Sequence, residues 1–317
     1  MTAPRRLLGA LVAVLLAVAG CGAGGPAVPP GTVEIATGST QGVYYRYGTA
    51  FASVIDAELP GVRARVRATQ GSVENLQRVA DGQSTVAFSA ADAAADAVTG
   101  QGAFTRPLRI RALARVYDDY LHLVVRADSP IEDAAGLRGH RVSVGQAGSG
   151  TEIIAERVLA ALHLDPDRDV VPARLGIDAS VRALRQGRVD AFFWSGGLPT
   201  AGVAALAREM PIRLVPLGDL VPALRRYSGS YRAAAVPAGT YPGVPAVLTV
   251  AVPNYLVTRA GTDAGLVYAL TRLLFLSRER VAREVSLAGV LDARAAIETA
   301  PVPLHPGALR YYRDTKV

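Results

Sequence analysis

Short apolar runs that stop at a glycine- or serine-bearing turn, each followed by a stretch of helical periodicity, recur along this 317-residue chain. That alternation limits the fold more than any other feature. Residues 32–36 (Thr-Val-Glu-Ile-Ala) read as a strand that breaks at Thr37-Gly38-Ser39, and residues 44–58 then place Tyr47, Phe51, Val54 and Ile55 at helical spacing. Residues 62–68 alternate strictly, with Val62, Ala64 and Val66 on one face and Arg63, Arg65 and Arg67 on the other, as a half-exposed strand does. Ser72 stands where it would cap a helix over 73–81. A strand at 85–89 and an alanine-rich helix at 90–98 follow. Strand, turn and helix in this order predict a parallel sheet with helices on its faces.

A second block begins near Tyr120. Strands are expected at 121–126, 141–145, 189–194 and 212–216, with helices at 152–162 and 179–186. Residues 246–252 read as a buried strand leading back, and helices close the chain at 264–276, 277–287 and 307–313. The reading is an α/β fold of two lobes with a ligand cleft between them: lobe I from 32–121 plus 247–317, lobe II from 122–246. Ligands of such folds sit in the crevice at the carboxyl ends of the strands, so the loops after the strands carry the candidate chemistry.

The N-terminus speaks to compartment. Arg5 and Arg6 precede an apolar run over 7–19 that ends at Ala19-Gly20-Cys21, the pattern of a secretory signal. The run falls short of the roughly 20 residues needed to span a bilayer. Val18-Ala19-Gly20-Cys21 resembles the bacterial lipobox, in which the cysteine is lipidated, and Cys21 is the only cysteine in the chain. A signal peptide over 1–20, a lipid on Cys21 and a glycine- and proline-rich tether over 21–31 are therefore expected, placing the protein outside the cytoplasm and anchored to the cell membrane. A lone cysteine leaves no internal disulfide and no cysteine-based metal site. Half the residues are hydrophobic, which excludes global disorder. The net charge of +7 comes without a block of bases, so no nucleic-acid partner is indicated.

Four loops stand out. In the first, Thr37, Ser39, Gly42, Val43 and Tyr44 combine glycines that admit close backbone approach with hydroxyls at a helix start. In the second, Ser72 and Asn75 lie on the first turn of a helix; a capping serine and a surface asparagine are the bland alternative. In the third, Gln146 leads into Gly148-Ser149-Gly150-Thr151 at a strand-to-helix junction, where Ser149, Gly150 and Thr151 suit a carboxylate or phosphate. It lacks the Gly-Lys-Ser/Thr ending of a P-loop. In the fourth, Trp194 follows Phe192 and Phe193 and would form an apolar wall, although such a trio more often packs a core. The four histidines show no metal-ligand spacing and read as surface or capping residues. Ser149 is not in a Gly-x-Ser-x-Gly elbow. No catalytic residue, metal or cofactor is called for, and nothing requires an enzyme.

These pieces, in their order, resemble the TAXI family of solute receptors that serve tripartite ATP-independent periplasmic (TRAP) transporters. The resemblance covers nearly all of 32–317. It rests on Gly42-Val43-Tyr44-Tyr45, on Ala68-Thr69-Gln70-Gly71-Ser72-Val73-Glu74-Asn75-Leu76, and on Leu121-His122-Leu123-Val124-Val125-Arg126. It continues through residues 136–145, the Gly148–Thr151 turn, Asp190-Ala191-Phe192-Phe193 and Pro303-Leu304-His305-Pro306-Gly307-Ala308. It implies a type II periplasmic-binding-protein architecture and a monomeric receptor. The implied ligand is a small acidic solute, glutamate, glutamine or a dicarboxylate such as 2-oxoglutarate, passed to an integral-membrane permease without ATP or chemistry. One departure stands out: where family members carry Gln-Ser-Asp after the strand at 86–89, this chain has Ala90-Ala91-Asp92. Two other readings share the same cleft, an ABC-type or sensor-linked receptor for another organic anion and an exported hydrolase with Ser149 as nucleophile.

Overall fold

The computed structural model describes residues 28–316. The expected signal peptide, Cys21 and most of the tether lie outside the described residues. No helix among the described residues is long and apolar enough to cross a membrane.

The first half opens with β1 (Gly31–Ala36), α1 (Val43–Glu58), β2 (Val62–Arg67), α2 (Ser72–Ala80), β3 (Val86–Ala90) and α3 (Ala91–Thr99). The long β4 (Ile110–Arg126) leads into the second half, with β5 (Arg141–Ser143), α4 (Gly150–Ala161), β6 (Val171–Ala173), α5 (Ile177–Arg185) and β7 (Ala191–Gly196). Then come α6 (Ala201–Glu209), β8 (Ile212–Leu214), α7 (Val221–Leu224) and β9 (Arg232–Val236). A second long strand, β10 (Val247–Arg259), returns to the first half, which α8 (Ala264–Leu276), α9 (Arg278–Ala282), α10 (Ala293–Ala296) and α11 (Pro306–Asp314) complete.

All ten strands are joined through β4 and β10, in the order β2-β1-β3-β10-β4-β7-β5-β6, with β8 beside β4 and β9 beside β10. The pairs β1–β2, β1–β3, β5–β6 and β5–β7 are parallel, as strand–helix–strand units require. The two long strands are antiparallel to their neighbours and serve both halves. Residues 247–251 of β10 pair with β9, and residues 254–258 pair with β3. Within β4, residues 120–125 pair with β7, while its earlier residues pair with β10. The ladder between β4 and β10 shifts register at Asn254/Tyr255, beside the point where the strands pass from one half to the other. The expected lobe boundary at 121/122 falls inside β4, and the one at 246/247 falls at the first residue of β10.

Three apolar clusters hold these layers. Tyr47, Phe51 and Ile55 of α1 meet Phe88, Leu256 and the inner face of α8. Phe192 packs with Val124, Leu184 and Leu206 on the α5–α6 side. Phe193, one residue on and therefore on the opposite face, packs with Leu123, Val158 and Leu159. The last cluster also takes in Leu76 and Ala94, so it runs from the first half into the second. Each fully buried phenylalanine is worth roughly 1.5–3 kcal/mol over exposure.

The helix expected over 277–287 is two pieces, α9 and a 3-10 turn at Ser286–Val290. Val285 turns extended between them and is buried in the α1–α8 core, so burying its side chain there replaces continuation of the helix. Strand β6, strand β9 and the first part of β4 were not anticipated. The arginine face of β2 is exposed as expected, with Arg67 3.5 Å from Glu34.

Candidate functional site

A small cavity lies where the carboxyl ends of β1, β3 and β7 face the starts of α1, α2 and α4. Its accessible volume is about 80 Å³. At roughly 10–15 Å³ per water site, that is room for several waters or a compact solute. Ten residues singled out from the sequence line it: Ser39, Gly42, Val43, Tyr44 and Ser72 from the first half, and Gln146, Ser149, Gly150, Thr151 and Trp194 from the second. Thr37 and Asn75 do not. Both are fully buried behind the lining.

Asn75 binds the scaffold instead. Its Nδ2 donates to the Thr37 and Phe88 carbonyls, the latter at 2.7 Å, and its Oδ1 accepts from Thr69 Oγ1 at 2.7 Å. The Thr37 hydroxyl donates to the Arg67 carbonyl at 2.7 Å. One buried amide thus ties the end of β1, the end of β3 and the start of α2 together. Ser72 does not cap α2 either. Gly71 is the N-cap, at φ 125, a conformation that suits glycine, and a Cβ there would lie 3.2 Å from Ser149 Cα. The Ser72 hydroxyl accepts from Ala90 N at 3.1 Å, where β3 passes into α3.

Ser149 does cap α4, accepting from Glu152 N at 3.1 Å. Gly145, at φ 100, makes the turn before it, and a Cβ there would meet Glu152 N at 2.8 Å. Thr151 Oγ1 accepts from Ser195 N at 3.1 Å, docking α4 onto the end of β7. The two halves touch at the mouth. Val73 N donates to the Gly148 carbonyl at 3.1 Å, and Gln146 Nε2 donates to Gln70 Oε1.

Trp194 is held by a chain of hydrogen bonds. Its indole N–H donates to Thr200 Oγ1 at 3.0 Å, and Thr200 N donates to Tyr241 OH at 3.0 Å. Tyr241 OH lies 2.8 Å from His122 Nε2, and His122 Nδ1 faces the Trp194 carbonyl at 3.3 Å. Burial pushes His122 down to about 4, so the ring is neutral. A neutral ring that donates from Nδ1 and accepts at Nε2 satisfies the whole chain. This histidine belongs to the core, contrary to the surface or capping role expected of it. His305 does cap, accepting from Gly307 N at 3.2 Å at the start of α11.

Sequence reasoning missed one lining residue of consequence, Asp119. It lies in β4 opposite Val252 of β10, is 6% exposed, and among the described residues is the only lining residue with a carboxylate. Among the described residues no Arg, Lys or His lines the cavity. Asp119 Oδ1, Ser195 Oγ and Asn254 Nδ2 are all buried without a hydrogen-bond partner. Burial pushes the Asp119 carboxyl up to about 7, partly offset by the neighbouring Asn254 amide and Ser195 hydroxyl, while the Asp118 and Asp92 charges add to the rise. Tyr44 completes this wall, its ring stacked 5.4 Å from Phe88 and its hydroxyl donating to Asn254 Oδ1. Burial, and then the Asp119 charge, raise the Tyr44 hydroxyl well above its ordinary range, so it stays protonated. The one available signal was an acidic pair, Asp118-Asp119, just before the strand expected at 121–126. Among the described residues no group of His, Cys, Asp or Glu could hold a metal ion.

A sheet shared through two long strands, with a cavity where helix starts from both halves meet, is the architecture of periplasmic solute-binding proteins. The fold matches MatC (Rpa3494) from Rhodopseudomonas palustris with bound malate, at 17% identity over 90% of this chain and 96% of that one, TM-score 0.55. It also matches the alkanesulfonate-binding protein SsuA from Xanthomonas axonopodis pv. citri bound to MOPS, at 15% identity over 90% and 85%, TM-score 0.52. A putative L-cystine ABC transporter from Listeria monocytogenes matches at 13% identity over 82% and 96%, TM-score 0.51. At these identities the likeness is one of fold. The family model of the NMT1-like family matches residues 35–315, and the chain belongs to that family.

Proposed function

We propose that this protein is an extracytoplasmic, lipid-anchored receptor that closes on a small organic solute and delivers it to a membrane permease. The observation that carries the reading is the cavity itself. Loops from both halves wall it, and the first turns of α1, α2 and α4 open onto it, leaving N–H groups without intrahelical acceptors to hold an anionic group. A ligand touching both halves favours the closed form by its differential affinity for it. The TAXI resemblance assigns a TRAP permease as partner and glutamate, glutamine or a related dicarboxylate as ligand. Delivery to an ATP-driven permease is a second reading, supported by the Listeria match, which is described as an ABC transporter. Uptake that stops when the ion gradient is dissipated while ATP is maintained separates the first from the second.

Gly150 offers the test of the cavity. A Cβ at this position would lie 3.1 Å from Ser72 Oγ and 3.2 Å from Ala90 Cβ, across the gap between the halves. Gly150→Leu is expected to weaken solute binding at least tenfold by calorimetry while circular dichroism stays native, because opening relieves the clash. Unchanged affinity in the folded variant would remove this cavity from the function.

A further inference from the structure

The charge of the cavity lining narrows the solute. A receptor for a dianion ordinarily presents arginine or lysine to it, since a buried anion without a counter-charge is strongly disfavoured. This lining contains no basic side chain, and its one ionisable acid, Asp119, is buried with an unpartnered Oδ1. Arginines do occur in the outer groove, which shares Ser39, Gln70, Gln146 and Gly176 with the cavity. There Arg182 and Asp178 both line the groove, and Arg174 is held by Glu152 at 2.8 Å.

Every group packed around Asp119 leaves its carboxylate without a cation. Tyr44 of α1 donates its hydroxyl to Asn254 instead, and the Asn254 amide and Ser195 hydroxyl that face Asp119 are neutral groups. Asp118 and Asp92 add negative charge, and Tyr117 OH is also unpartnered. Neutral neighbours leave the buried charge of this carboxylate without a counter-charge, which is costly. A compact group with several N–H donors and a positive charge would supply what Asp119 lacks.

We propose that Asp119 is the charged anchor of this cavity and that it selects a compact solute carrying a protonated amine. The proposal rests on the receptor reading above and deepens it. A carboxylate elsewhere on the same solute would meet the starts of α1, α2 and α4, so a zwitterion satisfies both ends. A dicarboxylate without an amine does not.

The experiment uses the full chain and solute pairs that differ only in the amine: L-glutamate with glutarate, L-glutamine with glutaramate, L-alanine with propionate. Each is titrated by calorimetry into the native protein and into Asp119→Asn. The expected result is that at least one amine-bearing member binds at least tenfold tighter than its partner. That preference should shrink by about 10- to 100-fold in Asp119→Asn, the loss of one charge-assisted hydrogen bond. Circular dichroism and a thermal melt of the variant confirm that it is folded. Equal binding of a pair's two members, undiminished in Asp119→Asn, overturns the ammonium assignment and leaves the receptor reading standing. No binding by any of the six solutes overturns the assignment together with the receptor reading for these ligands.

Discussion

Asp119 sits where water cannot reach most of it, and that alone changes how the free protein answers to pH. Its carboxyl is raised from 3.8 to about 7 in the folded chain, so the folded state prefers the proton more than the unfolded one does. Below about pH 4 the group is neutral in both states and costs nothing. The penalty grows as pH rises past 3.8 and is complete above about 7, where 1.36 kcal/mol per unit brings it to on the order of 4 kcal/mol. Asp119→Asn removes the penalty. Thermal melts without solute are expected to show the variant near the native protein at pH 4 and more stable by about 10 °C at pH 8, at roughly 2–4 °C per kcal/mol. Asp92 is raised by burial as well and is present in both proteins, and its charge is part of what raises Asp119. A difference that is the same at pH 4 and pH 8 would contradict the buried-carboxylate account.

At the scale of elements, a second charged cluster ties α3 to α4 away from the cavity. Arg157 of α4 reaches Asp92 at 3.4 Å and Tyr231 OH at 2.9 Å, and it also donates to Asp96 at 2.5 Å. Tyr231 OH donates to Asp92 at 2.6 Å. Asp92 is fully buried, so removing the cation leaves a carboxylate with too few partners. Arg157→Met is expected to lose about 3–5 kcal/mol in urea unfolding. The loss should be smaller at pH 5 than at pH 8, because Asp92 without Arg157 takes up a proton more readily. A loss below about 1 kcal/mol at pH 8 would show that the cluster is not a structural tie.

The α/β alternation and the helices at 43–58 and 264–276 were legible because apolar spacing follows burial on one face. The loops were legible because glycine is required at Gly71 and Gly145, which sit at positive φ where strands turn into helices. Long strands were not. Residues 110–120 carry Arg111, Arg115, Asp118 and Asp119, and polar residues inside a strand hide its pattern. In the structure Arg115 is satisfied by Asp118 at 2.8 Å and by Glu298 at 3.1 Å, the latter 183 residues away. Asp119 was hidden for the same reason. Its neighbours Tyr44, Ser195 and Asn254 come from distant segments, and no local pattern joins them. Asn75 was legible as a special residue, but whether it faced ligand or scaffold depended on three carbonyl and hydroxyl partners that only the fold assembles.

For the whole molecule, two halves joined through β4 and β10 meet at the Gln70–Gln146 and Val73–Gly148 contacts, beside the cavity that both halves line. Opening requires those contacts to break, and a bound solute that spans the halves opposes it. Trp194 makes this directly measurable, because it is the only tryptophan in the sequence and it lines the cavity. Its emission reports on that one place, so the most direct measurement is a fluorescence titration of the full chain with the amine-bearing solutes. The account predicts a saturable change in Trp194 emission whose midpoint matches the calorimetric affinity and which Gly150→Leu moves to at least tenfold higher solute concentration. A solute that binds by calorimetry while leaving the Trp194 emission unchanged, or changing it with the same midpoint in Gly150→Leu, would place binding elsewhere and contradict the account.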